Sequence, residues 1–116
     1  MRKAFGISTA LGLLLATPAF ANGLNVGQTV DTRLISVCQS DMSARDIMLA
    51  AKNKGVDAAN EMYAAASDCG PRFLSFKVLQ VLDTVKTPTG NLAKMLEIEN
   101  HTRGRFYALV LDYKSD

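Results

Sequence analysis

The chain has 116 residues and a formal net charge of +2, from 13 Lys and Arg against 11 Asp and Glu. It contains two cysteines, one histidine and no tryptophan. A chain of this length makes one small domain, and its near balance of charge excludes the strongly basic surface that collects nucleic acid or anionic lipid.

The start of the chain has the composition of a bacterial secretory signal peptide. Two basic residues open it, an apolar stretch follows over residues 4–16, and Ala19-Phe20-Ala21 places small residues where a signal peptidase reads them. The apolar stretch is shorter than the roughly 20 residues that cross a bilayer. We therefore expect a signal peptide at 1–21, a single domain at 22–116 and no stable membrane insertion after cleavage. A retained anchor is the alternative.

The two cysteines predict one disulfide. Export places the chain in an oxidising compartment, where two cysteines normally pair, and Cys38 and Cys69 allow only one connectivity. The bond would stabilise a small domain by roughly 3–4 kcal/mol in the chain-entropy model. The spacing does not match the C-x-x-C of a redox-active pair. Two free or intermolecularly paired thiols are the alternative.

The first predicted strand leads directly into a helix. The segment over residues 28–37 is rich in Val, Thr, Leu and Ile, which favours a strand. The shift of its apolar phase at Ile35 predicts a bulge or burial on both faces near Cys38. A helix-start signal follows at Ser40-Asp41, with Ser43 as a second choice.

Gly55 divides the helical segment. Lysines precede it and Gly is a natural residue after a helix end, so we expect a break there and a second helix capped by Asp57. A single helix through Gly55 is the alternative, at a cost of about 1 kcal/mol. The apolar spacing predicts buried stripes at Ala44, Ile47, Met48 and Ala51, and then at Ala59, Met62, Tyr63 and Ala66.

Three strands joined by short connections complete the chain. Their connections are too short for parallel crossovers, so we expect an antiparallel meander. The first of the three is apolar on both faces in its middle, which favours a central position. The expected elements are a strand over Arg72–Val85, a turn over Thr87–Gly90, a strand over Leu92–Glu99, a connection over Asn100–Gly104 and a strand over Arg105–Tyr113.

The predicted fold class is α+β. An antiparallel sheet of about four strands, in the order β-α(α)-β-β-β, carries one or two helices inserted after its first strand. Strands that are apolar on both faces indicate a curled sheet or a partly closed, SH3-like barrel, with the helices covering one side.

The sequence contains no evident catalytic or metal-binding constellation. His101 would need a nucleophile and an orienting carboxylate to act as a base, so we expect a solvated turn residue. One histidine and paired cysteines leave too few ligands for a transition metal, and we predict no cofactor. Glu97 and Glu99 share a strand face and are expected to be solvated.

Basic residues cluster around the last two strands. Arg72, with Tyr107 or Tyr113 alongside, extends a possible basic patch that would dock an acidic partner. Ordinary charge mixing on a solvated face is the alternative. The predicted partner-binding residues are His101, Arg103, Arg105, Lys94 and Tyr107.

These observations predict a non-catalytic binding domain that is periplasmic or secreted and whose partner is another protein. An inhibitor or immunity-type protein is a second possibility; it would block an envelope or secreted hydrolase with one rigid loop, for which Asn100–Gly104 is the candidate. A small enzyme or accessory subunit, with a site assembled from residues distant in sequence, is a third. A structural component of an envelope assembly is a fourth.

Overall fold

A computed structural model describes residues 24–112, apart from the side chain of Asp112. The order predicted from the sequence is confirmed: one strand, two helices, then three strands. The expected signal peptide and Tyr113 lie outside the described residues. The elements are β1 (Thr29–Cys38), α1 (Asp41–Lys54), α2 (Val56–Ala65), β2 (Cys69–Lys86), β3 (Leu92–Asn100) and β4 (Gly104–Asp112).

The four strands form one antiparallel ring in the order β1-β2-β3-β4, with β4 returning to β1. β2 is long enough to pair with β1 over its first part and with β3 over its second part. The closure is short, because two residue pairs join β1 to β4 within the described residues: Val37 with Ala108, and Cys38 with Tyr107. The predicted α+β sheet is confirmed as a ring that is not a regular barrel.

The ring buries apolar side chains on both its inner and its outer side. Leu96 and Ile98 of β3 point inward, whereas Ala93 and Met95 face the helices, because successive strand residues point to opposite faces. The central position expected for β2 from its two apolar faces is confirmed, since β2 pairs with β1 and with β3. Val81 in the middle of β2 is nevertheless 42% exposed, so both faces are not buried there.

β1 shows both of the irregularities that the sequence allowed. Its register against β2 shifts between Val30 and Arg33, nearer the start of the strand than expected. Its last four residues, 35–38, are all buried. Cys38 lies directly opposite Cys69, and a disulfide of 2.06 Å between the two sulfurs joins them. The predicted bond is confirmed, and it closes the loop that carries both helices.

The start of α1 is tied to the residue before Cys69. The Oγ of Ser40 accepts a hydrogen bond from the Ser43 N–H at 3.1 Å and donates one to Asp68 at 2.7 Å. The Oγ of Ser43 donates to the other carboxylate oxygen of Asp68 at 2.8 Å. The hydrogen bond from Ser40, which has the larger effect, and the one from Ser43 favour the charged carboxylate and lower the pKa of Asp68. The predicted helix start at Ser40 is confirmed.

Replacing Asp68 with Asn is expected to lower the stability of the fold at neutral pH and to make that stability less dependent on pH in the acid range. Because the pKa of Asp68 is lowered in the folded state, its bonds stabilise the fold above the ordinary carboxyl pKa. That stabilisation is lost as the pH falls below about 4, through the folded-state pKa. Urea unfolding of the wild type should therefore show a steeper acid loss than unfolding of Asp68→Asn. Asp57→Asn, an exposed carboxylate in α2, is the control; parallel curves for wild type and Asp68→Asn would contradict the assignment.

Gly55 ends α1 and precedes α2. Its φ of +105° lies in the region that favours glycine, and its N–H contacts the carbonyls of Ala50 and Ala51, each at 3.1 Å. The expected break is confirmed. The expected cap is wrong, because α2 begins at Val56, Asp57 falls in its first turn, and no side chain caps the helix.

The buried face of α2 differs from the predicted stripe. Ala59 and Tyr63 are buried as expected, but Asn60 is also buried and Met62 is 41% exposed. Residues two apart lie on nearly opposite sides of a helix, so the rotation that buries Asn60 exposes Met62. Burial raises the pKa of the Tyr63 phenol, and the hydroxyl of Ser36 in β1 partly opposes this rise.

Candidate binding surface

The side chain of Asn100 fixes the connection between β3 and β4. Asn100 is 7% exposed, and its Nδ2 donates a hydrogen bond to the carbonyl of Ser75 in β2 at 2.7 Å. Its Oδ1 accepts three hydrogen bonds, from the N–H and hydroxyl of Thr102 at 3.0 and 2.8 Å and from the Arg103 N–H at 2.8 Å. One buried side chain thus holds the backbone of the turn and anchors it to a third strand.

The tip of this turn consists of three exposed residues, His101, Thr102 and Arg103. Gly104 follows the tip at a φ of +92°, a backbone conformation that glycine adopts without steric cost. The hairpin connection predicted over Asn100–Gly104 is confirmed. The imidazole of His101 and the guanidinium of Arg103 are therefore exposed to solvent on a backbone that the buried side chain of Asn100 holds in place.

A charged network lies at the base of the turn. The Nη1 of Arg105 donates to Glu97 at 3.1 Å, and its Nε lies 3.9 Å from a carboxylate oxygen of Glu99. Gln80 of β2 donates to the other oxygen of Glu97 at 2.7 Å. The expectation that both glutamates are solvated is wrong for Glu97, which is buried because Gln80 and Arg105 bond it from the two neighbouring strands.

Lys94 does not join the arginines in one basic patch. In the register of β3 and β4, Lys94 lies opposite Val110, whereas Glu99 lies opposite Arg105. Lys94 and Glu99 are five residues apart, which is about 17 Å along a strand, and an odd separation places them on opposite faces. The continuous patch expected from the sequence is therefore divided between the two faces of the sheet.

The remaining predicted residues have separate environments. The guanidinium of Arg72 lies 5.7 Å from the centre of the Phe106 ring, a cation–π distance. Tyr107 is half-buried, lies opposite Glu97 and packs against the apolar layer between sheet and helices. Since residues two apart share a strand face, Tyr107 follows Arg105 on one face of β4. The predicted residues that the hairpin brings together are His101, Arg103, Arg105 and Tyr107.

A second surface, which the sequence did not predict, lies on the outer side of the helices. A groove of about 540 Å³ runs between α1 and α2, with Ala50 and Ala58 in its lining. Leu49 and Met62 border it and are 54% and 41% exposed. The signal that could have revealed it is Leu49, an apolar residue outside the predicted buried stripe of α1.

Residues 24–112 contain no group of three or more His, Cys, Asp or Glu side chains placed to hold a metal ion. In the same stretch, no helix is long and apolar enough to cross a membrane. No protein-family model, no curated protein and no solved structure matches this chain.

Proposed function

We propose that the protein is an exported, non-catalytic binding domain that recognises another protein, in the periplasm or outside the cell, with the turn Asn100–Gly104. The observation that carries this proposal is the set of four hydrogen bonds made by the Asn100 side chain. They hold the turn in one conformation before a partner arrives. A turn that is already ordered loses little conformational entropy on binding, so more of its contact energy appears as affinity.

Arg103 is the side chain we expect to anchor the partner. Its backbone N–H is fixed by Asn100 at 2.8 Å, while its guanidinium has no ion pair among the described residues. Arg105, two residues further on, already bonds Glu97. Arginine is enriched among residues that dominate binding energy, and it pairs with carboxylates through two parallel hydrogen bonds. The partner should therefore present a carboxylate to the tip of the turn.

Two features support export. The leader has the composition of a signal peptide, and the cysteines are joined in a disulfide, the form that they take in oxidising compartments such as the periplasm. Both features belong to the chain itself and are independent of the turn.

The proposal is tested by replacing the tip of the turn. The tagged protein, produced with its own leader, is crosslinked in the periplasm and recovered. The double variant His101→Ala/Arg103→Ala should capture at least about tenfold less partner than the wild type. The reason is that replacing a residue worth about 2 kcal/mol or more at an interface changes affinity by more than that factor. Lys86→Ala, an exposed cation at the far end of β2, should capture it like the wild type. Equal capture by the turn variant would contradict the proposal.

The same rigid turn favours a second candidate, an inhibitor of an envelope or secreted hydrolase. The three-residue tip is held by Asn100, so it has the size and rigidity to enter an active-site cleft without a change in its backbone conformation. Peptidase and muramidase activities of a periplasmic extract should then fall on addition of wild-type protein and remain unchanged with Arg103→Ala. A partner that is captured while both activities persist would exclude inhibition of these two hydrolase classes and leave recognition alone.

A further inference from the structure

We infer that the outer face of α1 is a self-association surface, and that its occupant is a second copy of this chain with its α1 antiparallel to the first. This face carries Met42 and Leu49, which are 74% and 54% exposed. They are seven residues apart and therefore lie on one side of the helix. The groove of about 540 Å³ between the helices lies beside Leu49.

The shape of this face is complementary to itself. A twofold axis that crosses α1 beside Leu49 sets Leu49 of each copy against the groove of the other. The apolar part of the groove is lined by Ala50 and Ala58, whose small side chains leave space, and by Met62, whose flexible chain adapts to an apolar neighbour. The other lining residues are polar or charged: Asp46, Asn53, Lys54 and Glu61. A projecting leucine and a matching groove on the same surface are what a symmetric dimer interface needs.

The charges on α1 are also self-complementary in this arrangement. In an antiparallel pair centred on Leu49, residues equally far from it in opposite directions come level, so Asp46 of one copy is level with Lys52 of the other. Neither residue has an ion pair among the described residues. The arrangement also sets the positive start of each helix dipole beside the negative end of the other.

Arg45 adds no repulsive contact in this arrangement. It lies four residues before Leu49 and is therefore level with the uncharged Asn53 of the other copy, and it forms an ion pair with Asp41 one turn before it. The first half of the exposed face, with Asp41, Arg45 and Asp46, therefore has a net charge of −1. The second half carries Lys52 and Lys54, so the antiparallel arrangement sets opposite net charges against each other.

The size of the face predicts a weak dimer. α1 has 14 residues and is about 21 Å long, so we expect a contact confined to this helix and the groove beside it to bury an area at the low end of specific protein interfaces. We expect a dissociation constant on the order of micromolar rather than nanomolar. The turn Asn100–Gly104 takes no part in this contact, so the dimer would carry two such turns.

Sedimentation velocity of the wild-type protein, from about 5 to 500 μM, tests the contact. The wild type should show concentration-dependent dimerisation. Leu49→Gln, which keeps a good helix former on the exposed face, should weaken the dimer at least tenfold while leaving the unfolding midpoint unchanged. Phe73→Gln is the matched control, because Phe73 is 72% exposed on β2 and lies outside the contact. A monomer at every concentration, or equal weakening by both variants, would overturn the inference.

A charge exchange tests the antiparallel arrangement itself. Asp46→Lys and Lys52→Glu should each weaken the dimer several-fold at low salt, since each sets like charges level with one another. The double variant restores opposite charges in both symmetric positions and should recover the wild-type constant. Dimerisation that is weakened additively in the double variant would overturn this arrangement.

Discussion

Replacing both Cys38 and Cys69 with alanine is expected to lower the free energy of unfolding by about 3–4 kcal/mol. The bond joins residues 31 apart in sequence, and the loss of loop-closure entropy in the unfolded chain accounts for a value of that size. Cys38 also lies where the ring closes, with Cys69 opposite it on one side and Tyr107 on the other. Loss of the bond should therefore loosen the contact between β1 and β4 first.

Urea unfolding of three samples measures this effect. They are the oxidised wild type, the reduced wild type and the alanine pair. The reduced protein keeps both sulfur atoms, so it separates the crosslink from the cavity that alanine leaves at fully buried Cys38. Amide exchange at Val37 and Ala108 should accelerate more than exchange within β3. A loss below about 1 kcal/mol in both altered samples would contradict the stabilising role of the bond.

Replacing Asn100 with alanine is expected to cost about 2–4 kcal/mol. The change removes four hydrogen bonds made by one side chain, each of which contributes about 0.5–1.5 kcal/mol, and it leaves the carbonyl of Ser75 and the N–H of Arg103 without these partners. The turn should also lose its single conformation. Binding of the captured partner is then expected to weaken even where the variant remains folded, because the turn must be ordered on binding.

Thermal or urea unfolding of Asn100→Ala and Asn100→Asp separates the two ends of the side chain. The aspartate keeps the acceptors for Thr102 and Arg103 but cannot donate to Ser75, so its stability should be intermediate. Asn53→Ala is the control, because Asn53 is exposed on α1 and surface changes of this kind alter stability by less than about 0.5 kcal/mol. An Asn100→Ala variant as stable as this control would show that the side chain does not hold the turn.

Much of the fold was predictable because its signals are local. The hydroxyl of Ser40, the glycine at 55 and the short connection at Asn100–Gly104 each act through neighbours within a few residues, and the structure confirms all three. The disulfide was predictable for a different reason, since two cysteines in an oxidised chain allow one pairing. The number and order of the strands followed from these boundaries.

The errors arose where distant residues decide the environment. Met62 was expected in the core, but the rotation of α2 is set by packing on the sheet, which buries Asn60 instead. Glu97 carries the same local signal as Glu99 but is buried where Gln80 of β2 and Arg105 of β4 bond it. The strand order likewise could not show that β1 and β4 meet at two residue pairs.

The location of the binding surface was predictable from the sequence, but the contacts that hold it were not. The sequence indicated the turn through His101 and Arg103, both exposed in the structure. It gave no sign that Asn100 reaches β2, because that contact depends on Ser75, 25 residues earlier in the chain. The sequence also grouped Lys94 with Arg105. Their placement on opposite faces of the sheet depends on the strand register, which the sequence does not show.

Photo-crosslinking in living cells tests recognition through the turn most directly. p-Benzoylphenylalanine in place of His101, beside Arg103 at the tip, should give one discrete adduct with another protein in the periplasm. The same group in place of Lys86 should not give that adduct. No adduct from position 101, or the same adduct from both positions, would contradict a binding surface at the turn.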